Sequence, residues 1–169
     1  MSELIKKEIP VDGFETIMCK FDVAGVIEYA NDYFMTLSEY SLYELMGKKI
    51  NFLYNENMPR VITEYAWNKI LNKEKTNIIL KCQTKSKKFY WLEVKLDLLI
   101  NPETRKVENV FFYGKAANRN AILELDIFYT KLYEMEQEKG LLFSKQYLEN
   151  YLEEQHLNYN DFMNKYLRG

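Results

Sequence analysis

The chain has 169 residues, 47% hydrophobic and 15% aromatic, with a net charge of −2. This length and composition suit one folded domain with appended structure and exclude a disordered chain, while the weak charge gives no reason to expect a nucleic acid or an anionic membrane as partner. The start of the chain lacks a signal peptide and no run reaches roughly 20 apolar residues, so the sequence predicts a cytoplasmic protein without direct membrane insertion.

The cysteine and histidine content limits the chemistry that we expect. Cys19 and Cys82 lie in strand-like runs outside any CxxC pair, which indicates two reduced, buried thiols rather than a disulfide. His156, the single histidine, lies near the end of the chain. A Ser-His-Asp or Cys-His set, a multi-histidine metal site and a histidine-ligated haem in the main domain therefore lack a key residue. Without a phosphate-binding motif either, the sequence predicts no enzyme.

The first predicted elements form a β-hairpin. Residues 1–13 are interpreted as an N-terminal lead-in that ends in breakers. Alternating polarity in Glu15–Phe21 predicts a strand, and Val26–Ala30 predicts its partner. Asp22–Gly25 is a favourable turn between them, because aspartate bonds back to turn amides and glycine accepts a positive φ. One face of the first strand is expected to carry Ile17, Cys19 and Phe21, and the other face Thr16, Met18 and Lys20.

Two helix starts follow the hairpin. Asn31 is a predicted N-cap for a short helix that ends near Leu37. Ser41 and Glu44 match the Ser-x-x-Glu capping box of a second helix, which is expected to stop at Gly47.

A longer helix and three strands complete the main domain. Residues 48–57 are irregular or form one short helical turn. Asn57 is the predicted cap of a long helix that carries Pro59 in its first turn and ends near Asn72. Alternation and turn residues then predict three strands, Thr76–Thr84, Phe89–Ile100 and Lys106–Ala116.

These elements predict an α+β fold over residues 14–117, with a mostly antiparallel five-stranded sheet and helices on one side. Residues 118–169 form a C-terminal helical extension. Its apolar stripe from Ile122 to Tyr133 stops at Gly140, Ser144 is expected to cap a second helix, and a third begins near residue 158 or 160. The stripe is either packed on the domain or a surface for a partner or a second copy.

Several spaced motifs in this order resemble PAS domains. Asp22–Phe34 carries Asp-x-x-Gly-x-Ile-x-Tyr-x-Asn-x-x-Phe, and Ser38–Gly47 follows it. The similarity extends to one subgroup, the PAS domain of Aer-type aerotaxis receptors and of detached, CetB-like energy-taxis proteins, through Asn51–Pro59, Trp67 and Phe89–Trp91. It covers residues 14–117, and two later stretches resemble the helical end of the CetB-like proteins, Tyr129–Gly140 and Asn158–Phe162.

The resemblance implies a PAS fold whose cleft, between sheet and helices, holds FAD. A redox change of the flavin would alter hydrogen bonding along the sheet and reach the ends of the domain. The implied function is that of a non-enzymatic sensor or adaptor in bacterial signal transduction, in energy taxis or aerotaxis. Its implied partner is a membrane-anchored chemoreceptor-like protein, with a homodimer or a PAS–PAS heterodimer as further assemblies. The alternative is a PAS module that binds a small metabolite and has no redox role.

The candidate cofactor residues include departures from the family pattern. Where flavin-binding members carry Arg-His-Pro-Asp-Met-Pro, this chain has Tyr-Asn-Glu-Asn-Met-Pro, and a cysteine follows the strand lysine where the family tends to place asparagine. Two lost charge-assisted hydrogen bonds, each worth roughly 1.5–3 kcal/mol, lower affinity on the order of a hundredfold or more. FAD, another ligand and a cleft filled by its own side chains therefore all stay open, and the candidate residues are Tyr54, Asn55, Asn57, Trp67, Cys82 and Trp91.

Each candidate also has a purely structural interpretation. Trp67 and Trp91 stack on a ring ligand or are core aromatics, and Cys82 contacts a cofactor or is a small buried residue. Asn57 contacts ligand or only caps the long helix. A flavin photoreceptor of the cysteine-adduct type is not expected, because Leu53–Asn55 contains no cysteine.

Overall fold

The structure, a computed structural model, describes residues 7–167. The first six residues of the predicted lead-in and the last two of the C-terminal extension lie outside the described residues. The strands are β1 (Ile17–Asp22), β2 (Ile27–Ala30), β3 (Thr76–Gln83), β4 (Phe89–Ile100) and β5 (Val107–Ala116). The helices are α1 (Asp32–Ser38), α2 (Leu42–Leu45), α3 (Arg60–Leu71), α4 (Arg119–Lys139), α5 (Leu141–Glu154) and α6 (Tyr159–Leu167), with a 3-10 helix at Ile50–Leu53.

The five strands form one antiparallel sheet in the order β2-β1-β5-β4-β3. Side chains alternate between its two faces. The inner face is covered by α1 to α3 and carries most of the domain core, for example Ile17, Leu80, Leu92 and Phe112. The predicted α+β architecture is confirmed, and each predicted strand end lies within two residues of the observed one.

Local capping signals act as the sequence predicts. Asp22 Oδ1 accepts hydrogen bonds from the backbone N–H groups of Ala24 and Val26, both at 2.9 Å, and closes the hairpin turn. Asn31 Oδ1 accepts from the backbone N–H of a residue in the first turn of α1. Ser41 and Glu44 form the capping box of α2, although that helix is only one turn long.

Two predicted caps are wrong. Pro59, and not Asn57, occupies the N-cap position of α3, and it has no side chain able to cap. The side chain of Asn57 is exposed, and its backbone N–H donates to Asn55 Oδ1 at 3.0 Å. Ser144 lies inside α5, which begins directly after Gly140, and its hydroxyl donates to the backbone oxygen of Leu132 at 3.2 Å.

The three C-terminal helices, α4 to α6, are called the tail below, and they pack around the free edge of β3. Tyr129 of α4 is 1% exposed, and its hydroxyl donates to the backbone oxygen of Ile79 at 2.9 Å. Lys81 Nζ, also on β3, lies 2.9 Å from an Asp126 carboxylate oxygen on α4. An edge strand otherwise offers unpaired carbonyls to other chains, so the tail also protects the sheet. The apolar stripe of α4 is therefore core, as one of the two alternatives predicts.

Candidate functional site

The inner cleft lies between the sheet and α3, and it is filled by side chains of the protein itself. Phe21 of β1 stacks on Trp67 of α3, with ring centroids 6.0 Å apart and planes 20° from parallel. The remaining cavity measures about 20 Å³ and is lined mainly by apolar residues of the inner sheet face and of α3. A cavity needs roughly 10–15 Å³ to hold one water molecule, so the cleft has room for about one water.

A wider groove opens outside the cleft, between the β1–β2 turn, the 3-10 helix and α3. Its volume is about 780 Å³, within the range of roughly 300–1,000 Å³ that is usual for ligand pockets. Gly25 forms part of its wall with φ +83°, and a Cβ there would lie 3.6 Å from the ring of Trp67. The lining combines this indole with cationic, acidic and amide side chains, among them Lys49, Glu64 and Asn68.

Tyr54 lines both the cleft and the groove. Burial raises the pKa of its phenol well above the ordinary value, and the neighbouring Cys82 and Cys19 thiols add to the rise. The phenol is neutral at physiological pH, as an ordinary tyrosine is, and offers a hydrogen-bond donor and an acceptor rather than a charge. Tyr54 also bridges to Cys82 through the backbone, which ties the end of the 3-10 helix to the edge of β3.

Asn55 is held in place by the fold. Its backbone N–H donates to the oxygen of Lys81 at 2.9 Å, and its side-chain oxygen accepts from the N–H of Asn57. The residue is 4% exposed and contributes to the groove wall. Asn57 does not line the groove, since the turn that Asn55 forms directs it to the surface. These contacts give Asn55 a structural role, because they connect β3 to the turn before α3.

The two cysteines are buried free thiols, as predicted. Burial raises the pKa of Cys19 to about 12 and that of Cys82 still further above its ordinary value. The thiolate is the nucleophile and the metal ligand, so neither side chain has the ionised form that such chemistry requires at neutral pH. Within residues 7–167, no group of three or more histidine, cysteine or acidic side chains is placed to hold a metal ion.

Trp91 does not belong to the cleft. Strand alternation places Tyr90 on the inner face and therefore Trp91 on the outer face, where its ring lies 5.9 Å from that of Tyr129. Lys81 Nζ lies 5.4 Å from the Trp91 ring centre and 4.8 Å from that of Phe89. The structure thus brings Tyr54, Asn55, Trp67 and Cys82 to one side of the sheet and separates Trp91 from them, as a docking residue for the tail.

Several groove residues are not among the candidates predicted from the sequence. Lys49 and Arg60 are the exposed cations at its mouth, and Arg60 forms an ion pair with Glu64 at 3.2 Å. Thr63 also lines the groove, from the same face of α3 as Arg60 and Trp67. The spacing of three of them could have indicated their place. Once Trp67 is taken as a site residue, residues 60, 63 and 64 lie on the same side of the helix.

Part of the outer sheet face is left uncovered by the described residues. Phe111 and Tyr113 of β5 stack there with ring centroids 6.4 Å apart, and both are half-buried. Met18 and Tyr29, on the neighbouring strands, are 40% and 48% exposed. These four side chains are called the outer patch below. Large apolar side chains grouped on an exposed sheet face are typical of protein contact surfaces.

The arrangement of strands and helices is the PAS/LOV-type fold. Similar solved structures include the light-state blue-light photoreceptor Aureochrome1 LOV, which is 20% identical with a TM-score of 0.57 over 72% of this chain and 90% of that one. The PAS domain of the fruit-fly ELK potassium channel is also 20% identical, with a TM-score of 0.54 over 62% of this chain and 89% of that one. At this identity the similarity shows the fold alone.

The sequence is also similar to part of a known bacterial receptor. The aerotaxis receptor of Escherichia coli (strain K12) is 29% identical over 87 residues, which are 52% of this chain and 17% of the receptor. The chain therefore matches only a small part of that protein. No family model matches the chain. Across the part of the chain that the structure describes, no helix is both long and apolar enough to cross a membrane.

The residues of the cleft do not fit a flavin. With Phe21 stacked on Trp67, the remaining volume of about 20 Å³ is too small for a three-ring isoalloxazine. The side chains that line the cleft are apolar apart from the Tyr54 phenol and the Thr63 hydroxyl, so the lining supplies no cation for a pyrophosphate. Of the three alternatives that the sequence leaves open, the structure favours a cleft filled by its own aromatic side chains.

Proposed function

We propose that this chain is a non-enzymatic PAS sensor or adaptor in bacterial signal transduction, acting in energy taxis through contact with a membrane-anchored chemoreceptor-like protein. The observation that carries the proposal is the 29% identical match to an aerotaxis receptor in a chain with the PAS/LOV-type fold. A cytoplasmic location follows from such a contact.

The chemistry of the described side chains supports a role in contact rather than in catalysis. The buried thiols of Cys19 and Cys82 are un-ionised at neutral pH, and His156 is exposed on the tail, far along the chain from the cleft. Signalling by contact requires an accessible surface, and the outer patch supplies one. A second copy of the chain or another PAS domain is a further partner for the same sheet face.

The contact is tested by capture of the cytoplasmic part of a chemoreceptor-like protein from the same bacterium. Tyr113→Glu places a charge in the outer patch, whereas Ile127→Glu places one on α4, where Ile127 is 76% exposed. Tyr43→Glu is the matched control, because Tyr43 is 92% exposed on α2. We expect Tyr113→Glu to weaken capture about tenfold or more and Tyr43→Glu to leave it unchanged. Loss with Ile127→Glu alone would assign the contact to the tail, and no capture by the parent protein contradicts the energy-taxis role.

The groove favours a second candidate function, a PAS module that binds a small metabolite without a redox role. Its volume of about 780 Å³, the Trp67 ring and Lys49 fit a small ligand with a flat apolar part and an anionic group. Arg60 is paired with Glu64, so Lys49 is the cation that we assign to such a group. Binding of a flavin in the cleft would contradict this second function, and it would also contradict the conclusion that the cleft does not fit a flavin.

Two measurements distinguish flavin binding in the cleft from metabolite binding in the groove. The visible absorption spectrum of the purified protein, before and after incubation with FAD, is expected to show no bound flavin. A panel of aromatic carboxylates is then screened by thermal unfolding, since a ligand at about 100 times its Kd stabilises the folded state by roughly 2.7 kcal/mol. Asn68→Lys and Lys49→Glu change the charge at the groove and are expected to shift that stabilisation in opposite directions.

A further inference from the structure

Helix α3 stands between the groove and the tail. Thr63, Glu64 and Trp67 line the groove on one side of the helix. Tyr65 lies on the other side, since one residue advances about 100° around an α-helix. Its ring stacks on Tyr159 of α6 at 5.3 Å, and its hydroxyl lies 3.3 Å from a carboxylate oxygen of Glu149 on α5. The wall of the groove is therefore also a docking surface for the tail.

The N-terminus of α3 is capped by the tail rather than by its own turn. Both carboxylate oxygens of Glu136, on α4, accept backbone hydrogen bonds, one from Arg60 N–H at 3.0 Å and one from Val61 N–H at 2.9 Å. The N-cap residue itself, Pro59, provides no side-chain acceptor. A negative group that accepts two orphan N–H groups at a helix N-terminus is favourable both as a hydrogen-bond acceptor and toward the helix dipole.

This cap depends on the exact position of the first turn of α3. The tail is held on β3 by separate contacts, those of Tyr129 and of Asp126 with Lys81. Glu136 is thus carried on a helix that is fixed to the sheet, while its two donors belong to the helix that borders the groove. Hydrogen bonds weaken steeply beyond about 3.2–3.5 Å, so a displacement of α3 by about 1 Å is enough to break both.

We propose that α3 is a lever between the groove and the tail: an occupant of the groove displaces the first turn of α3, breaks the Glu136 cap and loosens the tail. The proposal rests on the second candidate function, that the groove takes a ligand. Glu136 acts in it as a positioning residue, because it touches the backbone of α3 and not the groove itself.

The groove can be filled without knowledge of its ligand. Thr63→Cys places one reactive thiol on its wall, and N-ethylmaleimide then attaches a compact group there. The native thiols, Cys19 and Cys82, are buried and stay unlabelled. Thr104→Cys, in the exposed β4–β5 turn, gives a matched label away from the groove. Mass spectrometry verifies single, complete labelling of each variant.

Amide hydrogen exchange of the full chain measures how tightly the tail is docked. We expect the label at position 63 to raise exchange in α4 and α5 about fivefold, the factor that loss of a typical helix cap corresponds to. Glu136→Ala is expected to give the same increase without a label, and Glu138→Ala, an exposed position on the same helix, to give none. In Glu136→Ala carrying the label at position 63, no further increase is expected, because both act on one contact.

Exchange in α4 that is unchanged or slower after complete labelling at position 63 overturns the lever. So does an equal increase with the label at position 104, or full additivity of the label with Glu136→Ala. Should Thr63→Cys unfold the protein, Asn68→Cys on the same groove face carries the label instead. Failure of the lever leaves ligand binding by the groove intact, since thermal stabilisation by a ligand tests that separately.

Discussion

Docking of the tail on the edge of β3 leads to a sharp prediction for Tyr129→Phe. The substitution removes only the hydroxyl that donates to the backbone oxygen of Ile79 at 2.9 Å and keeps the ring against Trp91. The carbonyl at the strand edge is then left without its donor in a place that water does not reach, because Tyr129 is 1% exposed.

The magnitude follows from hydrogen-bond energetics. A neutral hydrogen bond contributes about 0.5–1.5 kcal/mol net, and a buried acceptor left unsatisfied costs about 1–3 kcal/mol, so the free energy of unfolding should fall by about 1–2 kcal/mol. Urea unfolding followed by circular dichroism measures it. With a slope of about 2 kcal/mol per molar, the midpoint moves down by about 0.5–1 M and the slope stays the same.

Tyr113→Phe is the matched control, since Tyr113 is a half-buried tyrosine on the uncovered part of the sheet. It is expected to change the free energy of unfolding by less than about 0.5 kcal/mol. A Tyr129→Phe protein as stable as the parent, or equal losses in both variants, would refute the docking of α4 on β3. The lever between groove and tail would then lose the fixed point that it requires.

Three further predictions concern the core, the acid stability and the thiols. Gly114→Ala should destabilise the fold by about 1–3 kcal/mol, because the new Cβ would lie 3.1 Å from a buried phenylalanine ring carbon; unchanged urea unfolding contradicts this. Hydrogen bonds from Ser86 lower the pKa of Glu39 to about 2, so the stability contributed by its carboxylate is present above about pH 4.5 and is lost as the pH falls toward 2. Glu39→Gln should flatten this acid loss of urea midpoint, and an identical pH profile refutes the assignment. Cys19 and Cys82 should react with Ellman's reagent only in urea, and rapid reaction of the native protein is the contrary result.

The parts of the fold that could be predicted are those encoded in neighbouring residues. Asn31 and Ser41 cap helices that start one residue later, and Asp22 closes a turn within four residues of itself. The alternation in β1 is set by burial of one face, which the pattern of apolar residues records directly. Such signals depend on a few adjacent side chains and hold wherever the chain folds compactly.

The caps that were wrong depend on distant contacts. Glu136 is 75 residues from Val61, and nothing near Pro59 in the sequence indicates that a carboxylate from another helix completes α3. Ser144 has the residue type of an N-cap, but α5 starts at a reversal on Gly140, whose φ is +89°, so the serine enters the helix interior. A local pattern cannot exclude a tertiary competitor for the same backbone groups.

The candidate site shows the same division. Tyr54, Asn55 and Trp67 line one groove, because the order of elements brings the end of the 3-10 helix beside α3. Trp91 could have been assigned to the outer face from the sequence, since it follows Tyr90 in a strand and adjacent residues point to opposite faces. The volume of the cleft could not be predicted, because it depends on how the rings pack and not on which rings are present.

The filled cleft changes how a signal would pass through this protein. In a cleft that holds a ligand against the sheet, the ligand acts on strand hydrogen bonds directly. Here an occupant of the cleft would first have to separate Phe21 from Trp67, a stacked pair worth about 0.5–1.5 kcal/mol beyond its buried area. An occupant of the groove leaves this pair in place, and it contacts Trp67 and Thr63 from outside. The groove is bordered by α3 and not by the strands of the sheet, so the path that we propose runs from the groove through α3 to the tail.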